Sequence, residues 1–294
     1  MQSDERPGHL AFIGFGEAAQ AFISGWAEGR PDRITAYDLK TEDPETRPEM
    51  TACYGSFLVI GGAAVSDALT GAPVIFSVVT ADQALAAAEA AAPHVEQGAL
   101  WLDCNSCAPE TKRRAAEVLE AAGARYVDVA VMAPVHPKKH LVPLLVSGPH
   151  AEAGISVLDA LGMKPTLAGA DIGAASSIKM LRSVMVKGLE ALTAECFLAA
   201  RRAGVEEQVI ASLEASDPDI AWRRRGAYNI ERMMVHGARR AAEMQEVAKT
   251  VSALDLPNAM SAATVQWQEA LSQGGAEPGD DDLTGRLDRA LSAL

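Results

Sequence analysis

Residues 9 to 29, HLAFIGFGEAAQAFISGWAEG, pass from an apolar segment through two glycines into an amphipathic stretch, and no other part of the chain limits its fold so tightly. The apolar segment reads as a buried strand, the glycines as a turn and the remainder as a helix. RITAYDLK supplies the next β-rich run, ending on Asp38. Together they predict a βαβ unit, which commits this part of the chain to a parallel sheet covered by helices. Gly14, Gly16 and Ala19 take the GxGxxA form. The first glycine permits the tight turn, the second lets backbone approach a pyrophosphate, and the third small residue allows close packing of helix on strand. Alone the pattern is weak, and a tight βα turn without a ligand also satisfies it. Its setting between strand and helix, with Asp38 nineteen residues after Ala19, points to a dinucleotide whose phosphates sit on the helix N-terminus. A carboxylate at Asp38 suits the ribose hydroxyls and repels a 2′-phosphate, which favours NAD; Lys40, two residues on, leaves NADP open. The expected cofactor contacts are Gly14, Phe15, Gly16, Glu17, Ala18, Ala19 and Asp38, with Val79 and Thr80 at the end of PVIFSVVT.

Further apolar runs at 73–80, 98–103, 124–132 and 141–148 alternate with Ala- and Glu-rich helical stretches such as ADQALAAAEAAAP. After about residue 168 the strand signals stop. Ile178, Leu181, Met185, Leu189, Leu192, Cys196 and Ala199 then recur at spacings of three or four, which predicts a long core helix over about 172–202. SDPD breaks the chain at 216–219, NIERMMVHGARRAAEMQEVAKTVSAL predicts another helix, and GGAEPGDDD links it to a short amphipathic tail. The expected fold class is α/β, an N-terminal Rossmann-type parallel sheet domain over 1–167 followed by an all-α domain over 168–294 that serves substrate binding and dimerisation. A formal charge of −13 repels nucleic acid and anionic lipid, and no apolar run approaches the roughly 18 residues of a membrane span. The polar, acidic start MQSDERPGHL lacks the pattern of a signal peptide, so a cytoplasmic location is expected.

The stretch WLDCNSCAPE places Cys104 and Cys107 in a CxxC spacing. A zinc site needs four ligands, and Cys53 and Cys196 lie far apart and unpaired in sequence. A thioredoxin-like pair opens the helix of an early βαβ unit, whereas this one follows the fourth or fifth strand. Neither metal nor redox use is therefore expected, and Asn105 and Ser106 become the candidates. They lie beyond the carboxyl end of a sheet strand, where bound dinucleotide is met. With the glycine loop, DCNSCAP resembles the D-x-N/S-S/T-x-x-P segment of the β-hydroxyacid dehydrogenase and 6-phosphogluconate dehydrogenase superfamily, and the C-terminal helices suggest a bacterial branch with its own C-terminal domain. The resemblance, over most of 9–250, implies that Asn105 and Ser106 border nicotinamide and substrate.

It also implies a catalytic lysine early in the long helix, the place of Lys179 in SSIKMLRS. At 100° per residue Lys179, Arg182, Ser183 and Val186 fall away from the Ile178–Leu189 stripe, and a desolvated lysine can exchange a proton with a substrate hydroxyl. A solvated lysine beside the core is the bland alternative. Two departures bear on the substrate: Ser183 stands where relatives have Asn, and DVAVMAP (128–134) lacks the Ser-Gly-Gly that binds a carboxylate. His136, Lys138, Lys139 and His140 supply positive charge as a replacement or simply form a solvated loop. His236, Arg239, Arg240 and Glu243 share a helix face, either an anion-binding wall or a salt-bridge ladder. The expected substrate-binding set is Asn105, Ser106, Arg182, Ser183 and His236, without a metal. The expected activity is an NAD(P)-dependent dehydrogenase interconverting a small hydroxy acid, or sugar or polyol acid, with its carbonyl form. Imine reduction is the rival on the same fold, and a nucleotide-binding sensor without turnover the rival of another class. The resemblance further implies a homodimer.

Overall fold

In the computed structural model, which describes residues 6–280 and 282–294, the chain forms two compact units, Met1–Lys179 and Met180–Leu294. The first alternates β1 (His9–Ile13), α1 (Glu17–Trp26), β2 (Arg33–Tyr37), α2 (Arg47–Ser56), β3 (Ile60–Gly61), α3 (Val65–Leu69), β4 (Val74–Ser77), α4 (Ala84–Ala91), β5 (Leu100–Asp103), α5 (Pro109–Ala121), β6 (Arg125–Val131), β7 (Pro143–Ser147), α6 (Ala151–Ala160) and β8 (Lys164–Gly169). The strands form one sheet in the order β3-β2-β1-β4-β5-β6-β7-β8. It is parallel from β3 to β6, and the chain order reverses between β1 and β4, so the crevice at the carboxyl ends of β1 and β4 is where this topology binds ligands.

The central strands are buried on both faces, which is why they read as continuous apolar runs. Their period of two sorts the side chains: Leu10, Phe12, Phe76, Leu100 and Leu102 pack under α1 and α6, while Ala11, Ile13, Ile75 and Trp101 pack with α3, α4 and α5. The sheet is not wholly parallel, because β7 runs antiparallel to β6 and β8 parallel to β7.

The remaining helices are α7 (Ala174–Arg202), α8 (Glu206–Ser216), α9 (Trp222–Ser252), α10 (Ala259–Gln273) and α11 (Leu283–Ala293). The division between units falls inside α7, later than the 167/168 boundary expected, since the first turn of α7 is bonded to the sheet. The predicted core stripe of α7 is not core. Ile178, Leu181, Met185, Leu189 and Leu192 are 36–64% exposed, and Cys196 and Ala199 are exposed too. The buried face carries Met180, Ser183, Lys187, Glu190, Ala191, Ala194, Phe197 and Leu198 instead. Charged pairs to α9 occupy part of that face, so hydrophobicity alone assigned the wrong side. Among the described residues no helix is long and apolar enough to cross a membrane.

Candidate functional site

The turn after β1 is shaped by Gly14, whose φ of +87° suits only glycine and whose missing Cβ would lie 2.8 Å from the Val78 carbonyl oxygen. Gly16 is different: it caps α1 with an ordinary φ of −86°, and a Cβ there would meet nothing within 4 Å. The space beside Gly16 is open at the positive end of a helix, the setting that accepts a phosphate. The Phe15 side chain turns inward against Tyr54 and Phe57, with ring centroids 4.9 and 5.9 Å apart, leaving its backbone on the cavity side. Ala19 is buried under the sheet, while Glu17 is exposed and Ala18 half-buried.

Asp38 follows directly on β2 and reaches back to this turn. Its Oδ2 accepts from the Phe15 N–H at 2.8 Å and its Oδ1 from the Lys40 N–H at 3.0 Å. Gly14, Phe15, Gly16, Asp38, Lys40, Val79 and Thr80 line a cavity of about 670 Å³ whose other walls include the small or apolar Val65, Ala86, Ala87 and Ala90. The helix N-terminus, the acidic ribose position and the apolar slot fit the pyrophosphate and adenosine of a dinucleotide. Glu42 and Glu49 also line the cavity, so its charged lining residues are the carboxylates Asp38, Glu42 and Glu49 and the ammonium of Lys40. Burial, then the Glu42 carboxylate to which its hydroxyl donates, pushes the Tyr37 phenol well above its ordinary range.

The loop after β5 adjoins that cavity through one side chain. Asn105, 3% exposed, accepts the Val79 N–H at 2.7 Å and donates to the Ser77 hydroxyl at 2.9 Å, so it fixes the backbone at the cavity rim. The Ser106 hydroxyl is buried without a hydrogen-bond partner among the described residues. Both loop cysteines are buried, and burial pushes the Cys104 thiol up to about 12.

Beneath the loop lies a fully buried charge cluster that sequence reading did not anticipate. Lys112 Nζ donates to Asp103 Oδ1 at 2.8 Å and to the Asp103 carbonyl at 2.6 Å, and stands 3.4 Å from Asp128 Oδ1. Tyr126 Oη donates to Asp103 Oδ2 at 2.6 Å. Asp128 Oδ2 accepts from the Gly173 N–H at 3.2 Å, the Ser176 N–H and hydroxyl at 3.0 Å each, and the Ser147 hydroxyl at 3.2 Å. Burial works against the Lys112 ammonium, but Asp103 and Asp128 hold it well above the ordinary lysine range. A signal was present: Pro109, Lys112, Ala115, Ala116 and Leu119 are the buried positions of α5, so the lysine stands within an otherwise apolar stripe.

Lys179 is half-buried, one turn after Ser176, and its charge is felt at Cys104. Arg182 is exposed and Ser183 buried. His236 is half-buried, its imidazole lowered by burial and then by Arg232 and Arg239. Two of its face-mates are committed elsewhere: Arg240 donates to the buried Glu190 through both Nε and Nη2, and Glu243 accepts from Lys187 Nζ at 2.6 Å. The basic loop at 136–140 packs on the last turns of α1, with Lys139 Nζ 3.5 Å from the Ser24 carbonyl and His140 against Gly25. It therefore lies at the opposite end of α1 from the phosphate cradle.

Comparison with known proteins agrees with this geometry. Residues 9–164 match the model of the NAD binding domain of 6-phosphogluconate dehydrogenase, and residues 200–271 match a domain of unknown function, DUF1932. A conserved hypothetical protein from Sinorhizobium meliloti 1021 is 36% identical, with a TM-score of 0.79 over 100% of this chain and 98% of that one. The conserved protein MTH1747, of unknown function and described as structurally similar to 3-hydroxyacid dehydrogenases, is 29% identical, with a TM-score of 0.72 over 97% of this chain and 99% of that one. At the level of fold alone, the 3-hydroxyisobutyrate dehydrogenase of Mycobacterium tuberculosis matches at 14% identity, with a TM-score of 0.71 over 95% and 98%. The chain belongs to the family defined by the NAD binding domain of 6-phosphogluconate dehydrogenase, carrying a DUF1932 region in its helical part.

Proposed function

We propose that the protein is an NAD-dependent oxidoreductase that interconverts a small hydroxy acid, or a sugar or polyol acid, with its carbonyl form. The observation that carries this reading is the cavity formed by the Gly14–Gly16 turn and Asp38 at the switch point of the sheet. When bound, the nicotinamide supplies hydride acceptance or donation. The backbone at Phe15 and Gly16 and the N-terminus of α1 hold the pyrophosphate, and Asp38 takes the ribose hydroxyls. Asn105 keeps Val78 to Thr80 in place. Lys179 takes the proton of the substrate hydroxyl in oxidation and returns it in reduction.

Lys179 also favours this reading over imine reduction, since relatives of that kind generally lack the lysine. Dialysed protein tested with NAD, NADP and a panel of hydroxy acids, followed at the nicotinamide absorbance, should turn over NAD with at least one of them. Lys179→Met should then lose about 10²- to 10⁴-fold in kcat with little change in KM or NAD affinity. Turnover of the panel undiminished in that variant would remove Lys179 from the proton transfer, and no turnover despite tight NAD binding would favour the sensor.

We further propose a homodimer through the exposed face of α7. The stripe from Ile178 to Ala199 runs about 31 Å and consists of apolar side chains. Counting outward from Gly188 and Leu189 matches Met185 with Leu192, Leu181 with Cys196, and Ile178 with Ala199. A second copy laid antiparallel across it therefore meets apolar residue with apolar residue, as a two-fold axis requires.

A further inference from the structure

We propose that Asp103, Lys112 and Asp128 act as one charged unit that sets both the position and the charge environment of Lys179. Geometry carries the first half. Asp128 lies on β6, yet its Oδ2 holds the Gly173 and Ser176 amides, so the start of α7 takes its cap from the sheet. Lys112 joins that carboxylate to Asp103, and Asp103 Oδ1 in turn accepts the Asn105 N–H at 2.9 Å. One ammonium thus ties the helix that bears Lys179 to the loop that bears Asn105. Lys179 follows Ser176 by three residues, a rise of about 4.5 Å.

The second half follows from charge. All three side chains are at most 1% exposed, where burying an ion pair is a poor route to stability. Two carboxylates against one ammonium leave a single net negative charge under the first turns of α7, which favours the protonated form of a lysine nearby. Among the described residues, the titratable and charged groups at this end of the helix include Asp103 on β5, Cys104 and Cys107 on the loop after it, Arg113 on α5 against Gly173 and paired with Glu110, Lys112 on α5, Tyr126 and Asp128 on β6, Asp171 in the turn before α7, and Arg182 on α7 itself. Cys104, which follows Asp103 in the chain, feels the charges of Lys112, Asp103, Lys179 and Asp128 alike. Asp103, Lys112 and Asp128 are positioning residues for a group that the proposed function makes catalytic, and the inference rests on that reading only for its catalytic consequence.

The test reads Lys179 without turnover. In protein labelled with ¹³C at lysine Cε, the Lys179 signal is identified by its loss in Lys179→Met and titrated by NMR. Asp128→Asn keeps an oxygen to cap α7 but removes one negative charge, so Lys179 should titrate lower by roughly half a pH unit or more. Lys112→Met combined with Asp128→Asn restores the single negative charge on Asp103 and should return the titration toward native. Asp103→Asn serves as the second single variant should Asp128→Asn not fold. Folded single variants in which Lys179 titrates as in the native protein would overturn the proposal, as would a double variant shifted further in the same direction. The expected shifts together with undiminished turnover in Lys179→Met would sustain the cluster's role and sink the catalytic one, so the two ideas fail separately.

Discussion

Gly14 and Gly16 are two residues apart and do different work. Gly14 holds a left-handed backbone against the Val78 carbonyl, so Gly14→Ala should cost about 1–3 kcal/mol of stability as well as nucleotide affinity. Gly16 has an ordinary φ and open space, so Gly16→Ala should unfold at the native temperature and lose affinity only because its methyl enters the phosphate site. Thermal unfolding and calorimetric titration with NAD separate the two, and an equally destabilised Gly16→Ala would contradict the distinction. The loop cysteines give a second expectation. With Cys104 pushed up to about 12 by burial, it stays a protonated thiol through the neutral range. Iodoacetamide at about pH 8 should leave Cys104 untouched until denaturant is added, as peptide mass analysis would show.

Among the elements, α7 shows how far the sequence could be read. Its existence and ends followed from a three-four spacing of apolar residues, and the βαβ units from strands buried on both faces. Which face of α7 is covered did not, because spacing records where hydrophobic residues lie and not which element meets them. The covered face contains Lys187 and Glu190, residues that an apolar-stripe argument assigns to solvent, and their partners Glu243 and Arg240 lie 56 and 50 residues away. The same blindness hid the role of Lys112 and made Arg240 look available for a ligand. Glu190 takes both Arg240 and Gln268 Nε2 in a buried knot of α7, α9 and α10. Glu190→Ala should therefore cost about 3–5 kcal/mol, measured by denaturant unfolding, and Glu190→Leu with Arg240→Met should recover much of it. An unchanged midpoint in Glu190→Ala would mean that the arginine finds other partners at no cost.

For the molecule as a whole, the exposed stripe of α7 predicts a species of twice the mass of the 30.8 kDa chain in light scattering. Met185→Glu with Leu192→Glu puts like charges opposite each other in the antiparallel arrangement and should give monomers at micromolar concentration, with little change in helicity because both side chains already face outward. A dimer surviving both changes would place the interface elsewhere. The Asp128 cap on α7 has a consequence for modularity. α7 does not begin with its own start signal, since the acceptor for its first amides is encoded some 45 residues upstream, in a strand. A gene fragment cut at the end of the sheet would encode a helix whose opening turn has lost that acceptor. The helical region is thus not a cassette that recombination can move intact, and any fusion that grafts it onto another sheet must also bring an equivalent aspartate.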